Sequence, residues 1–380
     1  MPRTSISARP SGVGGSESLS VLRIYHSAVI GTWRERDRQL RARGVNVTLV
    51  SAATWDEGGR QVAYAPGADD FVMTSRTFGN KPNLFVYDPR PIFRLLRSER
   101  FDLIDAHEEP CSLAATEVLL LRWLARSRAP VTLYSAQNIF KRYPLPFRWM
   151  ERRALRAAAG IHVCNTVAGD ITRRKGFTGT VEMLPLGVDI ERFHPELPPS
   201  TEPGALRIGY VGRLDAHKGV EVLIDAVAGQ PGWTLHIVGD GPTAADIGRH
   251  AAPCGVQVTI SGFVPTEDLP DVYRSFDVVV VPSLETPSWT EQFCRVAVEA
   301  MASGVPVVAS DSGALPEVVG DAGVLVPPGD ASALRRTLAE LASDPARRAM
   351  LGQAGRDRSR RFAWASVAEN QHRFYDTVAR

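Results

Sequence analysis

Short apolar segments alternate with helix-forming segments along most of the chain, and this order limits the fold more than any other feature. Residues 21–25 and 45–50 are apolar runs of strand length, and a basic segment at 34–43 lies between them and ends at Gly44. A strand–helix–strand order is typical of parallel sheets covered by helices. Ligands of such sheets bind at the carboxyl ends of the strands. We therefore expect an α/β protein whose functional residues follow its strands.

The length and composition predict two domains. A chain of 380 residues is too long for one core of ordinary size. Its hydrophobic content of 44% and charged content of 23% are those of a globular protein, and a net charge of +2 does not indicate nucleic-acid binding. Composition predicts a disordered tail at 1–20, a first domain at 21–195 and a second domain at 204–363, joined by a Pro-rich connection.

The cysteines and the apolar runs indicate where in the cell the protein is expected. Cys111, Cys164, Cys254 and Cys294 are far apart and form no C-x-x-C pair, which disfavours a disulfide framework or a zinc site and fits a reducing compartment. No apolar run approaches the ~20 residues that cross a bilayer. The first 20 residues lack the apolar centre of a secretory signal. We expect a cytoplasmic protein.

One basic, aromatic segment qualifies that expectation. Residues 140–156 read FKRYPLPFRWMERRALR, with a single acid, Glu151. Such a segment favours peripheral contact with an anionic membrane at its inner face, or contact with an anionic acceptor. The alternative is a solvated helix whose apolar side packs on its own domain. Its basic residues are Lys141, Arg142, Arg148, Arg152, Arg153 and Arg156.

A glycine-bounded basic loop follows the first strand of the second half. Residues 212–219 read GRLDAHKG after an apolar strand at 206–211. Arg213 offers a planar fork for phosphate oxygens, and Lys218, five positions later, offers a compact point charge. The pattern indicates a diphosphate site, and an ordinary surface loop is the alternative.

The segment at 288–313 carries two acids, Glu291 and Glu299, around a predicted helix. Glu291 lies just ahead of the helix, where free backbone N–H groups attract anions. If the segment is helical, eight residues place Glu299 ~12 Å further along the axis. One acid could then meet a sugar and the other a ribose. Spacing alone equally describes two solvated glutamates. The apolar residues at helical spacing are Phe293, Val296, Ala297, Ala300 and Met301.

Four segments together resemble the family-4 retaining glycosyltransferases (glycosyl transferases group 1). Residues 288–313 resemble their E-x7-E helix, and residues 212–219 are similar to their G-R-L-x-x-x-K-G diphosphate site. Residues 102–107, DLIDAH, resemble the "DvvHaH" segment, and 181–189 the "N-G-V-D" junction, with Leu186 in place of Asn. The resemblance implies a GT-B fold, in which two Rossmann-like parallel-sheet domains face each other across a cleft. It also implies that a C-terminal helix, about residues 364–380, crosses back onto the first domain.

The resemblance further implies roles for individual residues. As catalytic residues, His107 would contact the transferred sugar, Arg213 and Lys218 would hold the diphosphate, and Glu291 would bind sugar hydroxyls. As donor-binding residues, Glu299 would hold the ribose, and backbone N–H groups near Phe293 and Cys294 would bind phosphate or sugar oxygens. Cys294 replaces a usual Gly. The backbone near Val264 would contact the nucleobase.

Gly31 is a further candidate for donor binding. It follows the first strand, where a residue without a side chain would let backbone approach a phosphate. A simple turn glycine is the alternative.

The implied activity is retaining transfer of a sugar from a nucleoside-diphosphate sugar to an acceptor hydroxyl, as in cell-envelope or polysaccharide biosynthesis. The acceptor could be a lipid-linked glycan, a polysaccharide or a small molecule. The leaving diphosphate would take the acceptor's proton, and no metal or cofactor would be needed, in keeping with the lack of an Asp-x-Asp pair. The alternatives are an inactive transferase-like binding subunit and another GT-B nucleotide-sugar enzyme, such as an epimerase or a sucrose-phosphate type synthase.

A nicotinamide-dependent enzyme is disfavoured. Gly239, Gly241 and Ala244 match a loose dinucleotide pattern, but the acid expected ~20 residues later is absent. A tight strand-to-helix turn explains these glycines better.

Overall fold

A computed structural model of the chain describes residues 18–57, 59–67, 69–195 and 204–379. Most of the predicted tail and of the Pro-rich connection lies outside these ranges, and the first strand begins at Ser20, inside the predicted tail. Within them, strands and helices alternate over most of the chain, as the sequence pattern predicts, but six strands follow one another between residues 46 and 87.

The first half contains eleven strands and five α-helices in its described part. The strands are β1 (Ser20–Ile24), β2 (Asn46–Ala52), β3 (Thr54–Glu57), β4 (Arg60–Ala63), β5 (Val72–Ser75), β6 (Thr77–Phe78), β7 (Val86–Tyr87), β8 (Leu103–Ala106), β9 (Val131–Ser135), β10 (Gly160–Val163) and β11 (Thr180–Met183). The helices are α1 (Glu35–Ala42), α2 (Pro89–Ser98), α3 (Leu113–Leu124), α4 (Phe147–Ala157) and α5 (Thr166–Arg174).

The remaining elements follow residue 204. The strands are β12 (Leu206–Val211), β13 (Trp233–Val238), β14 (Gln257–Ser261), β15 (Val278–Val281), β16 (Val307–Ser310) and β17 (Val324–Val326). The helices are α6 (Val220–Val227), α7 (Ala244–Ala251), α8 (Leu269–Arg274), α9 (Arg295–Ala302), α10 (Leu315–Val319), α11 (Ala331–Ser343), α12 (Pro345–Ser359) and α13 (Trp364–Val378). Over the described ranges, no helix combines the length and apolar character needed to cross a bilayer.

Seven strands of the first half form one sheet, in the order β11-β10-β9-β8-β1-β2-β5, and all neighbours are parallel. Apolar residues of α2, α3 and α4 pack on one face, and those of α1 and α13 pack on the other. Such strands, buried on both faces, read as apolar runs in the sequence. The short strands β3–β4 and β6–β7 form two antiparallel pairs beside this sheet.

Six strands of the second half form the other sheet, in the order β14-β13-β12-β15-β16-β17, again with parallel neighbours. Its two faces are covered by α6, α7 and α11 on one side and by α8, α9 and α10 on the other. Two parallel sheets, each with helices on both faces, confirm the predicted α/β class. The four cysteines are buried and free.

Helix α13 returns from the second half and packs on the first sheet, against α1. Its Tyr375 hydroxyl donates a hydrogen bond of 2.6 Å to Asp105 Oδ2, at the centre of that sheet. Gln371 Nε2 donates to the same oxygen at 3.1 Å, and Arg23 Nε donates to it at 2.8 Å. His162 contacts the other oxygen, Oδ1, at 3.1 Å. The helix therefore supplies two of the partners that allow Asp105 to be fully buried.

One local prediction needs correction. The helix predicted to follow Glu291 begins only at Arg295, so Phe293, the first residue of the predicted apolar spacing, lies ahead of it. The ~12 Å separation based on helical rise therefore does not apply to Glu291 and Glu299. Helix α2 was not among the predicted elements, although Asp88 and Pro89 mark its start.

Candidate active site

The carboxyl ends of the two sheets face each other, and the segment that carries Glu291 lies between them. Asn138, after β9, donates a hydrogen bond of 2.7 Å from Nδ2 to the backbone oxygen of Glu291. Asn165, after β10, donates one of 2.8 Å to the backbone oxygen of Gln292. Because both amides belong to the first sheet's carboxyl edge, they fix this segment of the second half at the cleft.

Lys218 and Glu291 form an ion pair at the cleft. Lys218 Nζ lies 2.8 Å from Glu291 Oε2, which also accepts a hydrogen bond of 3.0 Å from Ser283 Oγ. The ammonium group lies 4.6 Å from the centre of the Trp289 ring, in a cation–π contact. Glu291 is buried, with 7% of its surface exposed. The structure thus brings together two predicted catalytic residues that are 73 positions apart.

A pocket of about 750 Å³ opens at the carboxyl end of the second sheet. Three of the predicted residues line it, namely Arg213, Val264 and Glu299. Arg213 keeps 47% of its side chain exposed, and its Nε donates to Asp215 Oδ2 at 2.6 Å. A pocket of this size, with a cation and a buried acid on its walls, is large enough for a nucleotide.

Glycines bring two loops of this pocket together. A Cβ atom on Gly239, which has φ +144°, would lie 1.8 Å from the backbone oxygen of Gly212. Only glycine fits there, because the loops after β12 and β13 touch through their backbones. This confirms that Gly239 belongs to a tight strand-to-helix turn.

Glu299 is buried in the wall of this pocket, and both of its carboxylate oxygens have partners. The Tyr273 hydroxyl donates a hydrogen bond of 2.8 Å to Oε2, and Arg295 Nη2 donates one of 3.0 Å to Oε1. The Arg295 guanidinium also lies 4.9 Å from the ring centre of Trp33, in the first half. A ribose hydroxyl that approached Oε1 would therefore share the oxygen with Arg295 or displace it.

The structure gives different surroundings to Phe293, Cys294 and Gly31. The ring of Phe293 packs edge-on against Phe362, and Cys294 precedes the first residue of α9. Burial raises the pKa of the Cys294 thiol to about 12, so it is neutral near pH 7. Gly31 begins a short 3₁₀ helix, and a Cβ atom there would contact only the Arg34 side chain, at 3.5 Å.

His107 directly follows β8, at the carboxyl edge of the first sheet, as its sequence position predicts. Its ring stacks on Tyr134 with a centroid distance of 4.0 Å, lies 4.2 Å from Tyr25, and is only 4% exposed. Burial and the neighbouring His162 lower the pKa of His107 well below its ordinary value, so the ring is neutral. Its Nδ1 has no hydrogen-bond partner within the described residues. The ring lies among aromatic side chains and is not part of the pocket walls described here, and its contact with a sugar stays a prediction.

A second, smaller pocket of about 130 Å³ contains residues that the sequence reasoning missed. It lies between the halves, and its lining includes Glu109, Gln137, Asn138 and Trp289. Glu109 accepts hydrogen bonds from the Ser135 hydroxyl at 2.8 Å and from the Ala136 N–H at 2.7 Å. Burial raises the pKa of Glu109 to about 6. The rule that ligands bind at the carboxyl ends of parallel strands, on which the prediction for His107 rests, also makes Glu109 and Asn138 candidates.

Comparisons with known proteins place the chain in a family. Residues 35–192 match the model of Glycosyltransferase Family 4, and residues 196–358 match the model of glycosyl transferases group 1.

Within the described part of the chain, His, Cys, Asp and Glu side chains do not gather in groups of three or more suited to a metal ion.

The relatives include D-inositol 3-phosphate glycosyltransferases from two bacteria. That of Corynebacterium kroppenstedtii is 32% identical over 224 residues, which cover 53% of this chain and 49% of the relative, so the chain spans about half the length of that protein. That of Xylanimonas cellulosilytica is 31% identical over 363 residues, which cover 80% of this chain and 85% of the relative. HepE from Anabaena, solved in complex with UDP, shares the fold with a TM-score of 0.72 and 20% identity, over 94% of this chain and 100% of that one. The chain therefore belongs to the glycosyl transferases group 1 family and has its GT-B fold.

Proposed function

We propose that the protein is a retaining hexosyltransferase that moves a sugar from a nucleoside-diphosphate sugar to an acceptor hydroxyl, without a metal ion. The observation that carries the proposal is the Lys218–Glu291 ion pair at the cleft, held at 2.8 Å. A pocket of nucleotide size, with Arg213 and Glu299 on its walls, lies at the same edge of the second sheet. In this proposal the second half binds the donor and the first half binds the acceptor.

The charges of the site suit a leaving diphosphate. Lys218 and Arg213 would neutralise the charge that develops on the phosphate oxygens as the bond to the sugar breaks. Glu291 holds the ammonium of Lys218 in place and keeps Oε1 for the hydroxyls of the sugar. The acceptor oxygen would bond to the anomeric carbon on the face that the diphosphate leaves, and a phosphate oxygen would take the acceptor's proton. Catalysis would come from positioning and charge stabilisation.

The acceptor is proposed to enter the smaller pocket between the halves. An indole, a carboxylate and two amides on its walls, from Trp289, Glu109, Gln137 and Asn138, suit a hydroxyl-rich molecule. D-inositol 3-phosphate, the acceptor in the names of two relatives, is a polyol and is the first compound to test. UDP, bound in HepE, makes UDP-sugars the first donors to test.

The donor is tested by thermal unfolding with UDP-, GDP- and ADP-sugars. A ligand that binds only the folded chain raises the melting temperature, and a concentration of 100 Kd adds about 2.7 kcal/mol of stability. One of the three nucleotide classes is expected to raise the melting temperature well above the other two. A melting temperature that none of them changes would overturn the proposal.

The reaction is tested with that donor and with D-inositol 3-phosphate or another polyol as acceptor. Glu291→Ala is expected to reduce transfer by about 10²-fold or more, because it releases Lys218 and removes a sugar contact. Glu221→Ala, which changes an exposed acid on α6, is the matched control. Transfer in EDTA should equal transfer without it, and the product should keep the anomeric configuration of the donor. Donor binding without transfer to any acceptor would favour an inactive binding subunit.

A further inference from the structure

Large apolar side chains of α3 and α4 are exposed side by side on the first half. Trp123 of α3 is 71% exposed and Trp149 of α4 is 54% exposed. Leu120 is 52% exposed, and Leu145, just ahead of α4, is 68% exposed. The two helices pack on each other and leave a groove of about 770 Å³ between them, with both tryptophans in its lining. We call these residues, together with the basic residues named next, the α3–α4 surface.

The charge around these side chains is almost entirely positive. Residues 113–158, from the start of α3 through α4, contain nine basic residues and two acids, a net charge of +7. The whole chain has a net charge of +2, so its other residues carry −5. Of the two acids, Glu151 is buried and pairs with Lys175 at 2.5 Å, and Glu117 accepts a hydrogen bond of 2.8 Å from the Tyr87 N–H. The basic residues are Arg122, Arg126, Arg128, Lys141, Arg142, Arg148, Arg152, Arg153 and Arg156. Lys141 lines the smaller pocket at the cleft and is not counted as part of the α3–α4 surface.

Several of these charges are not compensated by the protein. Arg148, Arg152 and Arg156 are exposed on α4, and no acid of the described ranges pairs with them. The guanidinium of Arg153 lies 5.1 Å from the ring centre of Trp149, in a cation–π contact between two exposed side chains. The surface thus joins unpaired guanidinium groups with exposed indole and leucine side chains.

We propose that the α3–α4 surface docks the protein on the surface of an anionic lipid bilayer. Tryptophan and leucine side chains flanked by arginines suit the boundary between headgroups and acyl chains. The opposite charge of the other residues would orient the chain with this surface toward the lipid. The inference extends the basic segment at 140–156 to α3, and it does not depend on the transfer reaction.

Charge argues against a second copy of the chain as the occupant. In a two-fold dimer the same patch lies on both subunits, so the arginines of one copy would face those of the other. An acidic partner protein could pair with the arginines, but that pairing alone would not explain the exposed tryptophans. A bilayer offers both anionic headgroups for the arginines and an apolar layer for the tryptophans.

The test is co-sedimentation of the 380-residue chain with vesicles. Vesicles of phosphatidylcholine mixed with an equal amount of phosphatidylglycerol should bind the protein, and phosphatidylcholine alone should bind it much less. Binding should fall as salt rises, because surface charges are screened. Arg152→Glu/Arg156→Glu should weaken binding by more than tenfold, since each basic residue near such a surface changes partitioning by about fivefold. Trp123→Ser/Trp149→Ser should also lose binding.

Matched controls change exposed residues of other elements. The charge control is the double variant Arg336→Glu/Arg373→Glu, at exposed arginines of α11 and α13. The apolar control is Phe78→Ser/Met350→Ser, at side chains that are 58% and 64% exposed. These variants should bind like the original chain. Equal binding to neutral and anionic vesicles, or undiminished binding by both α3–α4 variants, would overturn the proposal. So would a dimer of the original chain that either α3–α4 variant converts to a monomer.

Discussion

Burial beside the cleft changes the acidity of Glu109. Its pKa rises from the ordinary 4.5 to about 6, because the ionised carboxylate loses contact with water. Below pH 4.5 the group is protonated in both the folded and the unfolded chain, and it has no effect on stability. Above about pH 6 the group is ionised in both, and burial of the ionised carboxylate lowers the free energy of unfolding by its full amount, about 2 kcal/mol. Its contribution therefore makes the fold less stable as pH rises through this window.

Glu109→Gln should remove this dependence. The amide keeps an acceptor for the Ala136 N–H and a group that can bond the Ser135 hydroxyl, but it does not ionise. The free energy of unfolding in urea, measured between pH 4.5 and pH 7.5, should favour the variant by up to about 2 kcal/mol at the upper end. Glu221→Gln is the exposed control. Parallel curves for the original chain and Glu109→Gln would contradict the prediction.

For single residues, the sequence indicated which charged side chains could belong to the site, but not which of them contact each other. The spacing of Arg213 and Lys218 within a short loop is a local pattern, and it predicted a cation-rich loop beside a strand. The ion pair of Lys218 with Glu291 joins residues 73 positions apart, which no local pattern reveals. The aromatic packing of His107 likewise depends on Tyr25 and Tyr134, from two other parts of the chain.

Helix α13 is stabilised on the first sheet by a buried polar contact. The Tyr375 hydroxyl donates to Asp105, and both residues are fully buried. Tyr375→Phe should cost about 1.5–3 kcal/mol, because a carboxylate loses a hydrogen bond where water cannot replace it. Unfolding in urea measures this cost. Tyr64→Phe, at a partly exposed tyrosine, should cost much less; an equal loss in both variants would contradict this role for Tyr375.

Element boundaries were predictable where capping residues mark them. Ser112 caps α3, and its Oγ accepts the Ala115 N–H at 3.0 Å, directly ahead of the first helical residue, Leu113. Helix α9 lacks such a signal. The apolar spacing there begins at Phe293, but that ring packs on Phe362 from outside the helix. Tertiary packing, and not helical periodicity, explains that position.

For the whole molecule, the two amides at the cleft should favour a closed arrangement of the halves. Asn138→Ala/Asn165→Ala removes two hydrogen bonds to the Glu291 segment. At about 1 kcal/mol each, their loss should shift the equilibrium toward an open form by roughly 30-fold. Small-angle X-ray scattering without ligand should show a larger radius of gyration. Asn46→Ala, on β2, should leave the radius unchanged, and an unchanged radius in the double variant would show that other contacts close the cleft.

The α/β class followed from short apolar runs separated by helices, and two domains followed from the chain length. The facing of two parallel-sheet domains was implied only by the family resemblance. The contacts that join the halves were not predictable, because side chains such as Asn165 and Trp33 contact partners in the other half of the chain.

The return of α13 has a consequence for synthesis of the chain. Asp105 and Arg23 are made early, but two of the partners of Asp105, Gln371 and Tyr375, leave the ribosome more than 260 residues later. Until then Asp105 lacks two of its hydrogen-bond donors, and the first sheet lacks the helix that covers it beside α1. The half that is translated first is therefore completed only by the last helix of the chain.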